Sequence, residues 1–327
     1  MPPRLKVAVV GATGETGASI MNALLENPEN FEVLALVRQA SVDKQAVVDF
    51  AQRGVIVKTI DLSEATDTIV PLLIGLDVVV CCLTLLQAKE ETALIEACSK
   101  AKVGRYVPSF FGPVCPSRGV MMLREMKENN LDVVKRLYLP YTVIDVGWWY
   151  QLALPELPSG KLQTKKDVSL NELIGDGNTP FALIDNRDIG KFVTRIIADP
   201  RTLNKKIFCY NEISTSGKIW DLLEELSGEK IPRVYARKED LEAKMSRASE
   251  ILAKSFDAAA QLDLGIGQYM WTLGIRGDNV PKRAKYLGYM DARELYPDIK
   301  ITPLASYIEG RLSGTVRNIY EGRKFGQ

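Results

Sequence analysis

The chain has 327 residues, 46% of them hydrophobic, enough for one large core or two unequal ones, and lysine plus arginine exceed aspartate plus glutamate by one (42 against 41). That balance creates no overall field for nucleic acid or anionic lipid, and no apolar run reaches the roughly 18 residues of a membrane span. Histidine is absent, which excludes a Ser-His-Asp triad, a Cys-His pair, a histidine base and nearly every zinc or non-haem iron site. Proton transfer must then fall to lysine, tyrosine, a carboxylate or a cofactor, and no metal is expected. The five cysteines are odd in number and lack metal-type spacing, which fits reduced thiols. With no signal-peptide core after MPPR, a cytoplasmic protein is expected.

Residues 5–17, LKVAVVGATGETG, read as a strand running into a glycine-rich turn and then a helix. The apolar run suits a first parallel strand buried on both faces, and residues 18–25 carry a helical apolar stripe. In the turn, Gly11 allows a tight strand exit, Gly14 lets backbone N–H groups approach a pyrophosphate, and Gly17 lets helix and strand pack closely. Thr13, Glu15 and Thr16 lie between the glycines and complete the expected cradle. A turn of this kind can also be only a turn, so its context decides. Residues 31–37, FEVLALV, form a second strand ending at Arg38, about 20 residues past the last glycine, where the ribose-reading residue falls. A carboxylate there would accept from the 2′-hydroxyl of NAD. A guanidinium pairs instead with a 2′-phosphate, so NADP(H) is the expected cofactor, with Lys44 as a second cation. The alternative for Arg38 is a solvated side chain at a strand end.

A helix is expected at 43–53, a third strand ending at Asp61, a helix at 64–73 and a fourth strand at 77–84, closed by Thr84 as a lesser cofactor contact. A helix at 87–101, a strand at 105–108, a long helix at 118–137 and a strand at 141–146 follow. Strands alternating with helices at this interval indicate a Rossmann-type, doubly wound parallel sheet, with ligands beyond the carboxyl ends of its strands.

After Gly147 the texture changes. Trp148, Trp149 and Tyr150 precede Pro155 and Pro158 and mark the entrance to a smaller region. The chain is expected back in the main sheet at 181–188, followed by a helix at 189–198 and a strand at 206–210. Helices at 216–227 and 238–260 come next, the second read as the solvated exterior of a lid. Tyr269, Met270 and Trp271 are candidates for pocket lining, with a buried core as the alternative. Residues 1–147, completed by about 181–210, are assigned to an NADP-binding domain, and 148–180 with 211–327 to a C-terminal substrate-binding region.

These residues carry a resemblance. GATGETG with Arg38 resembles the NmrA-like and isoflavone reductase-like branch of the atypical short-chain dehydrogenases. RYVPSFFG at 105–112 is similar to that family's RFxPSEFG, and DIGKFVTRIIADPRTLNKKIF at 188–208 to its DIG and DPRTLNK segment. NEISTSGKIWDLLEELSG at 211–228 and ELYPDIKIT at 294–302 match as well, so the likeness spans nearly the whole chain in order. The family comprises NADPH-dependent reductases of phenylpropanoids and isoflavonoids, together with cofactor-binding regulators. Its reductases use a lysine on the helix after the fifth strand as general acid or base. Counting back from Leu139-Pro140-Tyr141-Thr142, the resemblance places that lysine at Lys127, which the local run REMKENN alone would read as solvated. A desolvated lysine beside a cationic nicotinamide loses its preference for the ammonium form. Ser109 keeps the family's position near the nicotinamide. Phe110 departs from the family's glutamate and makes that position apolar.

Two Tyr-Lys pairs at the spacing common in short-chain dehydrogenases, Tyr296/Lys300 and Tyr320/Lys324, lie far beyond the cofactor sheet and are set aside. The primary expectation is an NADPH-dependent reductase of a bulky, aromatic small metabolite of secondary metabolism, with Lys127 handling the proton and Phe110, Trp148, Trp149, Tyr150, Tyr269 and Trp271 around the substrate. Two alternatives stand beside it: an NADP-bound cyclase or isomerase with no net redox, and an NADP-sensing regulator. A homodimer is left open.

Overall fold

The computed structural model describes residues 3–84, 87–163 and 171–320. Strands β1 (Leu5–Val10), β2 (Phe31–Val37), β3 (Ile56–Thr59), β4 (Val78–Cys81) and β5 (Arg105–Val107) form an all-parallel sheet ordered β3-β2-β1-β4-β5. Helices α1 (Glu15–Leu25), α2 (Gln45–Gln52), α3 (Thr66–Leu73) and α4 (Ala88–Lys100) make the crossovers. The order reverses between β1 and β4, which opens a crevice at their carboxyl ends.

Strand periodicity sets the two faces of this sheet. Val7 and Val9 of β1 pack with Ile20, Leu24 and, from α7 (Ile189–Ala198), Phe192. Ala8 and Val10 face the other way, with Ile69, Leu94 and Leu131. Only β3, at the edge, is largely exposed and carries a lysine, as an edge strand tolerates.

The layer continues past β5. After α5 (Met122–Arg136) comes β6 (Thr142–Val146), reached by hydrogen bonds from Tyr106 N to the Pro140 carbonyl (2.7 Å) and from Phe111 N to that of Ile144 (2.9 Å). Strand β7 (Trp148–Trp149), helix α6 (Tyr150–Ala153), β8 (Leu173–Ile174), β9 (Phe181–Ile184), β10 (Lys205–Cys209), β11 (Glu212–Ser214), α8 (Ser216–Ser227) and β12 (Tyr235–Ala236) follow in the chain. Then come α9 (Lys238–Leu252), α10 (Ala258–Met270), a π-helical turn at Trp271–Ile275, α11 (Pro281–Tyr286), β13 (Tyr289–Asp291), α12 (Ala292–Leu295) and α13 (Leu304–Leu312). Strands β6, β10 and β13 are parallel neighbours.

Three expectations are corrected. Residues 181–188 do not rejoin the main sheet: β9 pairs with β7 and β11 instead. Both edges of β6 are already taken, by β10 on one side and the chain after β5 on the other. The helix expected from 118 begins at Met122, because Gly119 adopts a left-handed φ of +76°. The expected helix at 238–260 is two helices, the second started by Asp257, whose carboxylate accepts from Ala260 N at 2.8 Å.

Candidate active site

The glycine-rich turn is shaped by the absence of side chains. Gly11 leaves β1 with φ +80°, and a Cβ there would lie 2.5 Å from the Cys82 carbonyl oxygen. A Cβ on Gly17 would lie 2.2 Å from the Gly11 carbonyl oxygen, so α1 can approach β1 this closely only with glycine. Gly14 donates its N–H to Gly11 O (3.0 Å) and is the N-cap of α1, with no side-chain cap over the helix end. The first amides of α1 have no acceptor within the helix and carry its positive end. A backbone cradle with unoccupied donors and no Cβ in the way fits the pyrophosphate of a dinucleotide.

The other expected cofactor residues follow the carboxyl ends of neighbouring strands. Arg38 and Lys44 are exposed beyond the carboxyl end of β2, and neither side chain is paired among the described residues. Thr84 is exposed past β4, its Oγ1 donating to Gln87 Oε1 at 3.3 Å. Ser109 is less free: its hydroxyl donates to the Leu83 carbonyl (2.7 Å) and its N–H to Glu91 (2.9 Å). Thr13 and Thr16 are half-buried in the turn. Glu15 is buried, and its carboxylate is engaged by Arg317 and by the N–H of Tyr320.

Lys127 lies on α5, half-buried, and its ammonium donates to the Phe110 carbonyl. Burial lowers its pKa from the usual 10.5 to about 8, Asp145 opposing that fall and Arg124 adding to it. Beneath it lies a buried charge cluster. Arg124 pairs with Glu128 (2.9 Å) and Asp145 (2.6 Å), and Tyr289 donates its hydroxyl to the same Asp145 oxygen (2.5 Å). The Arg124 guanidinium also stacks on the Phe110 ring, 4.7 Å from its centroid. None of Arg124, Asp145, Glu128 and Glu91 stood out in the sequence reading. The available signal was Asp145, a lone carboxylate inside the apolar strand TVIDV.

The aromatic residues divide. Trp148 is buried and meets Tyr269 at a tilted angle with centroids 5.2 Å apart, Trp149 is half-buried, and Trp271 borders a cleft of about 510 Å³ beside Gln268 and Met245. Two of the expected substrate contacts, Phe110 and Tyr150, are buried among other side chains. Phe110 is 1% exposed and packs inward with Leu131 and Leu139 because Arg124 covers its ring. Tyr150 is fully buried, its hydroxyl spent on Glu212 and the Thr302 carbonyl. Of the set-aside Tyr-Lys pairs, Tyr296 places its hydroxyl on Asp199 (2.9 Å), and Lys324 lies outside the described residues. Among the described residues no group of three or more His, Cys, Asp or Glu is placed to hold a metal ion, and no helix is long and apolar enough to cross a membrane.

A family model described as the NmrA-like family matches residues 3–307. The chain belongs to the NmrA-like family. This NmrA-like chain is 37% identical to asnovolin J 5′,6′-dehydrogenase of Aspergillus novofumigatus, over 95% of its own length and 96% of the relative's. It is 26% identical to eugenol synthase 2 of Clarkia breweri, over 94% and 99% of the two chains. Among solved structures, leucoanthocyanidin reductase of Vitis vinifera, a binary complex with NADPH, superposes with a TM-score of 0.77 at 18% identity, covering 94% of this chain and 99% of that one. An isoflavone reductase structure gives 0.75 at 23% identity with the same coverage. At those identities the structural likeness shows the fold, a Rossmann-type parallel sheet shared across these reductases.

Proposed function

We propose that the protein is an NADPH-dependent oxidoreductase of the isoflavone reductase type, moving a hydride between nicotinamide and a bulky small metabolite while Lys127 handles the proton. The observation that carries this reading is a single arrangement. A lysine with its pKa lowered to about 8 stands on the helix following β5, on the same sheet whose β1 turn fits a pyrophosphate. NADP(H), when bound, supplies or accepts the hydride.

The chain's own residues do the rest. The amides of Glu15, Thr16 and Gly17 hold the pyrophosphate, while Arg38 with Lys44 takes the 2′-phosphate. Trp148 and Tyr269 offer an aromatic wall to the substrate. In this reading residues 1–147, completed by about 181–210, carry the cofactor, and 148–180 with 211–327 shape the substrate side.

A pKa of about 8 leaves Lys127 available in either protonation state near neutral pH, as an acid in reduction or a base in dehydrogenation. The second direction is supported by the relative at 37% identity, which is named a dehydrogenase. The test offers a panel of aromatic and polycyclic metabolites to the protein with NADPH and, separately, with NADP⁺, following cofactor absorbance and product mass. Cofactor turnover that disappears in Lys127→Ala is expected. A product of unchanged mass formed without cofactor consumption would replace this reading with isomerisation.

A further inference from the structure

The chain's C-terminal segment returns to the glycine-rich turn. Arg317 grips the Glu15 carboxylate at both oxygens (2.7 Å to Oε2, 3.3 Å to Oε1), and the N–H of Tyr320 donates to Oε1 at 2.9 Å. These partners are 302 and 305 residues apart in sequence. The segment is tied down on its way: Asn318 donates to the Gln163 carbonyl (3.2 Å), and Ile319 is buried. Tyr320 holds a left-handed φ of +55°, uncommon for a non-glycine residue. It also lies near enough to Tyr269, the partner of Trp148, to act on it electrostatically. Residues 317–320 are therefore tied to the cofactor turn through Glu15 and to the Gln163 carbonyl.

The charge arrangement gives this connection a purpose. Glu15 is the first residue of α1, with its side chain only 5% exposed, so without Arg317 an uncompensated carboxylate would sit at the end where a diphosphate is to bind. The helix dipole welcomes one anion there, and a second one is repelled. We infer that Arg317 is a cofactor-positioning residue: it neutralises Glu15 so that the dinucleotide's diphosphate can occupy the N-terminus of α1, and it fixes the 317–320 segment along the crevice. The inference rests on the NADP(H) reading proposed above and adds to it a residue from the opposite end of the chain.

The experiment measures NADP⁺ affinity of the full-length protein by calorimetry, with 2′-AMP, which lacks the diphosphate, as the second probe. Arg317→Ala weakens NADP⁺ binding by about tenfold or more and leaves 2′-AMP binding within about twofold, whereas Arg38→Ala weakens both. The variant carrying Glu15→Gln together with Arg317→Ala returns NADP⁺ affinity to within about threefold of the parent, because no carboxylate is left to neutralise. A purely structural tether would give a double variant as weak as Arg317→Ala or weaker. That result, or an unchanged NADP⁺ affinity in Arg317→Ala, overturns the inference while leaving the cofactor reading intact. Absence of NADP⁺ binding by the unaltered protein overturns both.

Discussion

Replacing Lys127 with methionine separates what this lysine costs the fold from what it does in the proposed reaction. Its pKa of about 8 against the ordinary 10.5 means that the folded chain disfavours the ammonium; the difference corresponds to about 3 kcal/mol. The residue keeps part of its surface open to solvent, and screening reduces the figure to about 1–2 kcal/mol. Because the folded-state pKa lies below the unfolded one, the penalty is full below about pH 8, shrinks as pH rises towards 10.5 and vanishes above it. Methionine carries no such penalty at any pH. It does forfeit the hydrogen bond to the Phe110 carbonyl, a loss of about 1 kcal/mol that changes little with pH. The measurement is urea unfolding of both proteins at pH 7 and at pH 10.5. The stability of the methionine variant relative to the parent should fall by about 1–2 kcal/mol between the two, while cofactor-coupled turnover drops by about 10²-fold or more throughout. A relative stability that stays constant across that range would refute the placement of a desolvated ammonium at this point.

Arg38→Ala should weaken NADPH binding by about ten- to a hundredfold in a fluorescence titration, the worth of a charge-assisted pair, and leave NADH binding unchanged. Gly17→Ala places a methyl 2.2 Å from the Gly11 carbonyl oxygen, so a loss of about 1–3 kcal/mol in urea unfolding is expected, together with weaker NADPH binding. Asp145→Asn leaves the buried Arg124 guanidinium without one of its two carboxylates. It should cost about 3–5 kcal/mol in the same assay, against about 1 kcal/mol for Tyr289→Phe.

The first half of the fold was legible because its signals are local. An apolar run such as VAVV has one comfortable home, a strand covered on both faces, and the glycines at 11 and 17 sit where a Cβ would strike backbone. The strand at 181–184 was recognised, but its partners were not, since nothing in FALI states that both edges of β6 are occupied. The break between α9 and α10 hinged on one capping side chain, Asp257, within a charged stretch that otherwise keeps helical character. In the candidate site, the proposal for Arg38 and the turn came from spacing, whereas that for Lys127 came from family resemblance because REMKENN looks solvated. The burial of Phe110 and Tyr150 was not legible for one reason: their partners, Arg124 on one and Glu212 and Thr302 on the other, come from chain segments brought close only by folding. Arg317 and Glu15 were invisible as a pair for the same reason.

The buried cluster under Lys127 shows why a lysine can serve here in a chain without histidine. Desolvation alone drives an ammonium towards permanent neutrality, and Arg124 pushes the same way. Arg124, however, is outnumbered by its own partners, Asp145 and Glu128, so the cluster carries one net negative charge, and Asp145 holds the Lys127 pKa up. The result lies near 8, where the proton can be both given and taken at working pH, the condition a general acid or base must meet. Arg124 in turn could not be buried without those carboxylates. The Arg124–Asp145 pair therefore both secures α5 to β6 and helps set the protonation of the lysine one turn along the helix, coupling the stability of this part of the sheet to the chemistry proposed at its edge.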